Sequence, residues 1–130
     1  MVLLFADLDD FKAINDTRGH QEGDRALRAM ADVFRQNFRD SDIIARMSGD
    51  EFAILLADMT EDNVRVIRNR LDQDIEAFNA RMNGSHRLSV SIGMAVHNHD
   101  TPSSIDELLR LADTRMYEEK QRKKLSKRLI

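Results

Sequence analysis

Five consecutive apolar residues, Val2-Leu3-Leu4-Phe5-Ala6, run directly into a carboxylate at Asp7, and few folds accommodate such a start. A run with no polar alternate has no face to offer to water. It predicts a strand buried on both sides and central in its sheet. Such a strand needs helices to cover it, and the rest of the chain supplies them. Leu27, Met30, Ala31, Phe34 and Phe38 recur at helical spacing and predict an amphipathic helix of about four turns. Residues 43–47 and 52–57 are short apolar runs around Ser48-Gly49-Asp50-Glu51, the pattern of a β-hairpin.

Thr60-Glu61-Asp62 predicts a capped helix start with acids in its first turn. Val64, Ile67, Leu71, Ile75, Phe78 and Met82 then step by three and four until Asn83-Gly84. Leu88, Val90, Ile92, Met94 and Val96 alternate with Ser89, Ser91, Gly93 and Ala95, predicting a strand buried on one face. After Pro102, Ser104 and Glu107 are spaced as a capping box for a last helix with the core face Ile105, Leu108, Leu109, Ala112 and Met116. From Lys120 onward the tail is basic and is expected to fray. The order is strand, helix, two-stranded hairpin, helix, strand, helix. That places the chain in the α/β (α+β) class, as one domain over residues 1–130 without repeat or linker. A right-handed strand–helix–strand unit and a mixed sheet with flanking helices are expected.

Composition removes several function classes. Twenty Lys and Arg against 23 Asp and Glu give a net charge of −3, so no nucleic-acid-binding surface is expected. Cysteine is absent, which excludes disulfides, thiolate metal sites and a cysteine nucleophile. No run approaches the ~18 apolar residues of a membrane span, so a cytoplasmic domain without membrane insertion is expected.

Three acid-bearing features remain. Asp7-Leu8-Asp9-Asp10 closes the first strand, where alternation turns Asp7 and Asp9 to one side and Leu8 into the core. Two carboxylates so placed repel unless a cation lies between them, and hard oxygen ligands suit Mg²⁺ or Mn²⁺. The alternative is a solvated turn with helix-capping acids, the commoner reading of an isolated Asp-x-Asp. Asp50 and Glu51 sit at the hairpin tip beside Gly49. If the hairpin lies next to the first strand, they reach the edge Asp7 occupies and complete the acid set of a metal-dependent phosphoryl-transfer site. Residues 11–24 read as a long polar loop, in which Asn15 and Asp24 form a pair able to recognise a purine edge. His20 there has the ordinary reading of a structural hydrogen-bonder. An EF-hand starting at Asp7 fails because Lys12 stands where glycine is required. The scattered His20, His86, His97 and His99 do not make a zinc site. No P-loop pattern occurs.

Five stretches taken in order resemble the GGDEF domain of diguanylate cyclases. They are Asp7-Leu8-Asp9-Asp10-Phe11-Lys12-Ala13-Ile14-Asn15-Asp16, then Gly19-His20 with Gly23-Asp24, then Arg46-Met47-Ser48-Gly49-Asp50-Glu51-Phe52. Ser91-Ile92-Gly93-Met94-Ala95 and Ala112-Asp113-x-x-Met116-Tyr117-x-x-Lys120 follow. The resemblance implies a palm-like fold, as in polymerases and nucleotide cyclases, and condensation of two GTP into cyclic di-GMP with release of pyrophosphate. It implies Mg²⁺ or Mn²⁺ held by Asp7, the Leu8 carbonyl, Asp50 and Glu51, with Asp50 as or beside the general base. It implies guanine recognition by Asn15 and Asp24, a pocket lined by Phe11 and His20, and phosphate approach over Gly49 and to Lys120 and Lys124. It further implies a homodimer for ring closure, an attached sensor or regulatory domain, and an inhibitory product site at Arg39 and Asp42. The last has a plain alternative as a solvated turn. Ser48 stands where the family usually has glycine, at a cost of ~1 kcal/mol if that position requires a positive φ. The family's usual N-terminal segment and its Gly-x-Asn after Lys120 are also missing. Ser48 and the missing segment motivate a rival reading, an inactive module that binds GTP or cyclic di-GMP and signals by contact. A monomeric nucleotide hydrolase on the same palm is a third.

Overall fold

The computed structural model describes residues 1–81, 87–98, 100 and 103–128. The elements are β1 (Val2–Leu8), α1 (Phe11–Arg18), α2 (His20–Asn37), β2 (Ile43–Arg46), β3 (Glu51–Leu56), α3 (Glu61–Arg81), β4 (Val90–Val96) and α4 (Ile105–Arg128). The sheet runs β2-β3-β1-β4, so the apolar opening strand is indeed interior. Every ladder is antiparallel, and the expected mixed sheet is not what forms. Each helical crossover skips one position: β1 and β2 point the same way with β3 between them, and β3 and β4 do so with β1 between them. Two interlocked split β-α-β units result, which is why counting crossovers alone suggested parallel neighbours.

Side-chain alternation along β1 divides the core in two. Val2, Leu4, Ala6 and Leu8 join the larger cluster beneath α2 and α3, with Phe34, Phe52 and Leu71. Leu3 and Phe5 face the other way and meet Leu108, Ala112 and Met116 of α4. β4 is therefore buried on both faces rather than one: Ser91 and Ala95 are as inaccessible as Val90. The small residues on that face admit α4. A Cβ added at Gly93 would fall on the Ala112 carbonyl oxygen and the Met116 backbone nitrogen.

Three further expectations are corrected. Residues 11–24 are not a loop but α1, Gly19 and the start of α2. In eight residues α1 buries only Ile14, too little to show a helical period, and Gly19 at φ 91° separates it from α2. The basic tail does not fray, because α4 continues as helix to Arg128. The hydroxyl caps form: Thr60 Oγ1 accepts from the Asn63 N–H, and Ser104 Oγ accepts from the Glu107 N–H at 3.1 Å, the serine arm of the expected capping box. Ile105, read as core, is 49% exposed. Met82, Asn83-Gly84, His86, His99 and Pro102 lie outside the described residues. Among the described residues, no helix is long and apolar enough to cross a membrane.

Candidate active site

The acids gather where the α4 face of the sheet runs out of apolar residues. Leu3, Phe5 and Asp7 follow one another on that face of β1, and Leu108, Ala112, Met116 and Lys120 follow one another at four-residue steps along α4. Strand and helix pass from apolar to charged at the same level. The hairpin brings its own acids to this level because Asp7 pairs with Glu51 in the β1–β3 register, and cross-strand partners point to the same side. A hydrogen bond from the Leu8 N–H to the Asp50 carbonyl, 3.2 Å, ties the hairpin tip to the strand end. Arg46 draws the tip closed by donating to the Ser48 and Gly49 carbonyls, at 2.6 Å for the shortest contact.

One carboxylate oxygen each from Asp7, Asp50 and Glu51 lies within 4.8 Å of the others. Asp7 Oδ1 is buried and has no hydrogen-bond partner, a costly state for a carboxylate oxygen. Burial first, and then the neighbouring Asp50 carboxyl, push the Asp7 pKa up to about 7, against the pull of Lys120. Three crowded carboxylates, one of their oxygens orphaned, fit a hard divalent cation, which would remove both the repulsion and the orphan.

Asp9 takes a different role from the one its alternation with Asp7 suggests. Ser89 Oγ and Ser91 Oγ donate to its two oxygens at 2.6 and 2.7 Å, and Lys123 Nζ donates at 2.7 Å. Burial alone would raise its pKa, but these donors outweigh burial and hold it below the ordinary carboxylate value. Lys120 Nζ lies between the two strand-end acids, 3.5 Å from Asp7 Oδ2 and 3.6 Å from Asp9 Oδ1, and donates to the Leu8 carbonyl at 3.2 Å. Behind it, Arg68 of α3 forms a paired contact to Glu119, 2.6 Å at its shorter arm. Lys123, Ser89, Arg46 and the Arg68–Glu119 pair were missed as site-supporting residues in the sequence. The signal for Lys123 was its helical spacing from Met116 and Lys120.

Of these groups, Leu8, Asp9, Asp50, Ser89, Lys120 and Lys123 line an open cleft of about 620 Å³ whose wall also includes Phe11, Lys12 and Lys124. Asn15 packs at the α1–α2 angle: a Cβ on Gly23 would strike Asn15 Oδ1 and come 3.3 Å from a ring carbon of Phe11. Asp24 and His20 are exposed on the first turns of α2, beside that angle. Arg39 and Asp42 are not part of this cleft. They precede β2, at the end of that strand away from the hairpin tip. Asp42 is buried, accepts from the Arg39 backbone N–H at 2.9 Å, and leaves Oδ1 without a partner.

Ser48 carries no backbone strain. Among the described non-glycine residues the left-handed conformation belongs to Asp10, φ 59°, at the start of α1, and aspartate tolerates it. Gly49 does not use a glycine-only conformation either, contrary to the ordinary reading of a turn glycine, and a Cβ there would meet nothing within 4 Å.

Residues 1–126 match the family model described as "Diguanylate cyclase, GGDEF domain". Diguanylate cyclase DosC of Escherichia coli (strain K12) is 37% identical over 122 residues, 92% of this chain and 26% of the relative. Among solved structures, the GGDEF domain of PA1120 (TpbB or YfiN) from Pseudomonas aeruginosa is 35% identical, with a TM-score of 0.83 over 93% of this chain and 71% of that one. The GGDEF domain of DgcB from Caulobacter crescentus, solved in complex with c-di-GMP, is 28% identical with a TM-score of 0.77, covering 92% and 71%. The palm-like architecture expected from the sequence is the one these structures share with this chain. The chain spans between 11% and 30% of the lengths of the curated relatives it matches.

Proposed function

The chain belongs to the GGDEF domain family of diguanylate cyclases, and from that premise we propose that it condenses two GTP molecules into cyclic di-GMP. The observation that carries the reading is the meeting of Asp7, Asp50 and Glu51 with Lys120 across the end of β1, the hairpin tip and α4. In each half-reaction a ribose 3′-oxygen forms a bond to the α-phosphorus of the other GTP, the bond to the pyrophosphate oxygen breaks, and the 3′-hydroxyl proton passes to the Asp50 carboxylate. Two such steps close the ring and release two pyrophosphates. Lys120 and Lys124 place positive charge on the triphosphate, where negative charge moves onto the leaving group. Mg²⁺ or Mn²⁺, held by Asp7, Asp50, Glu51 and the Leu8 carbonyl, would supply charge neutralisation at the transferring phosphoryl group.

At the other end of the nucleotide, the Asp24 carboxylate accepts from the N–H groups of guanine's Watson–Crick edge, and the Asn15 amide reads the remaining pattern. Phe11 and His20 flank the base. Gly23 matters through Asn15, since a side chain there would displace its Oδ1. The open space at Gly49 lets the hairpin backbone meet the phosphates where a side chain would stand. One domain carries one such site, so ring closure needs two chains face to face in a two-fold dimer. An attached sensor or regulatory domain in a longer protein belongs to the same proposal. The test is product analysis: the dimeric protein with GTP and Mg²⁺ yields cyclic di-GMP and pyrophosphate on chromatography. GDP or GMP at a rate independent of protein concentration would point to a hydrolase. Tight nucleotide binding without turnover would point to the contact-signalling module. Either result overturns the cyclase reading.

Arg39 and Asp42 form the product-binding site of this reading. Asp42, buried, accepts from the Arg39 N–H and holds this turn, and the half-exposed Arg39 guanidinium can clasp a guanine edge or a phosphodiester. Arg39→Ala raises the cyclic di-GMP concentration that halves the rate by at least about tenfold, the worth of one charge-assisted hydrogen bond. An unaltered inhibition curve removes the assignment.

A further inference from the structure

Lys120 touches the oxygens a metal would need. Its ammonium donates to the Leu8 carbonyl at 3.2 Å and lies 3.5 Å from Asp7 Oδ2, and both groups belong to the proposed ligand set. Both distances exceed the length of a close charge-assisted hydrogen bond, about 2.7–2.9 Å. Lys123, one helical turn further on, is held differently. It donates to Asp9 at 2.7 Å, to the Val90 carbonyl and to Ser89 Oγ at 3.5 Å, and Ser89 and Ser91 donate to the same carboxylate. Of two neighbouring lysines, one is fastened to the sheet by short contacts and the other rests between Asp7 and Asp9 at 3.5 and 3.6 Å. The side chain of Lys120 is 20% exposed and opens onto the cleft, so a path leads its ammonium from the acids towards bound phosphates.

We propose that Lys120 is the resident cation of the acid site, which neutralises Asp7 and the Leu8 carbonyl before loading and releases them when a triphosphate draws its ammonium away. The inference rests on the cyclase reading of the same residues. A divalent ion arriving alone meets a positive charge within a few ångströms and competes for two oxygens already engaged. Arriving with a nucleoside triphosphate, it meets neither obstacle. Metal and nucleotide then bind as a thermodynamically coupled pair, each improving the affinity of the other. Lys123 and the two serines compete for Asp9, so that acid meets Lys120 only at 3.6 Å and does not fasten it.

The experiment is calorimetric titration of the full chain with Mn²⁺ alone, without nucleotide. Lys120→Met keeps most of the aliphatic stem and removes the charge, and it binds Mn²⁺ on the order of tenfold more tightly than the wild type. Lys120→Arg keeps the charge and stays near the wild-type value. A folded Lys120→Met protein with unchanged or weaker Mn²⁺ affinity overturns the inference. In the wild type, the assigned ¹³Cε resonance of Lys120 shifts on adding Mg²⁺ without nucleotide, and a resonance unmoved at saturating Mg²⁺ overturns it too. Asp50→Asn in the same titration separates the two levels. Lost Mn²⁺ binding there, with no gain in Lys120→Met, sinks the resident cation alone. Mn²⁺ binding untouched by Asp50→Asn sinks the acid-site reading beneath it.

Discussion

Asp50→Asn lowers the rate of cyclic di-GMP formation at least about a thousandfold while leaving the protein folded. The substitution is nearly isosteric, so the hairpin tip keeps its shape; the hydrogen bond that ties it to β1 uses the Asp50 backbone carbonyl, not the side chain. Two contributions are lost together: a base for the 3′-hydroxyl, worth roughly 10²–10⁴ in rate, and one of three carboxylates around the proposed ion. Stability moves the other way. Asp50 is among the causes that push Asp7 up to about 7, and removing its charge relieves that crowding. The variant therefore melts at or above the wild-type temperature in metal-free buffer, as expected where a site is assembled at some cost to the fold. Initial rates by pyrophosphate release, paired with a thermal melt, check both halves. A folded variant that keeps activity within tenfold removes Asp50 from the centre of the reaction.

The strand end and the hairpin tip were legible as one site because each carried its own local signal. An apolar run that stops at Asp7 has one direction and one end, and the Ser48-Gly49-Asp50-Glu51 tip lies between two runs that can only pair with each other. Placing the tip against β1 took one spatial assumption, which the Asp7–Glu51 register meets. What stayed hidden depended on tertiary partners. Alternation in residues 88–96 looked like one wet face because serine, glycine and alanine are as common on a solvated face as under a closely packed helix. The run from Lys120 to Arg128 looked like a solvated tail because a helical face that answers Asp7 and Asp9 cannot be recognised until the strand opposite it is known. α1 escaped notice for want of length, with one buried residue in two turns. Asp9 looked interchangeable with Asp7, and only the two serines of the 88–96 segment, eighty residues away, assign it to holding Lys123 instead.

That packed face yields the largest expected loss of stability. Gly93→Ala destabilises the domain by about 3 kcal/mol, at or beyond the upper end of the usual cost of overpacking, and lowers the melting temperature by roughly 10 °C. The size follows from what the added methyl meets. At Gly23 the main obstacle is the end of the Asn15 side chain, which can swing aside; at Gly49 there is no obstacle within 4 Å. At Gly93 the obstacles are the Ala112 carbonyl oxygen, the Met116 nitrogen and the Arg115 carbonyl carbon, all backbone, so no rotamer change relieves them. The helix has to lift from β4. Shortening a neighbouring side chain, as in Met116→Ala, does not restore stability, because the clash is with main chain. The displacement also reaches the chemistry, since Lys120 lies one turn beyond Met116 and its contacts to Leu8 and Asp7 depend on how close α4 sits. Gly93→Ala accordingly loses cyclic di-GMP synthesis even at temperatures where circular dichroism shows it folded. A melting temperature within about 2 °C of wild type, on the same scale of a few degrees per kcal/mol, shows that α4 does not clasp the sheet as tightly as this contact requires.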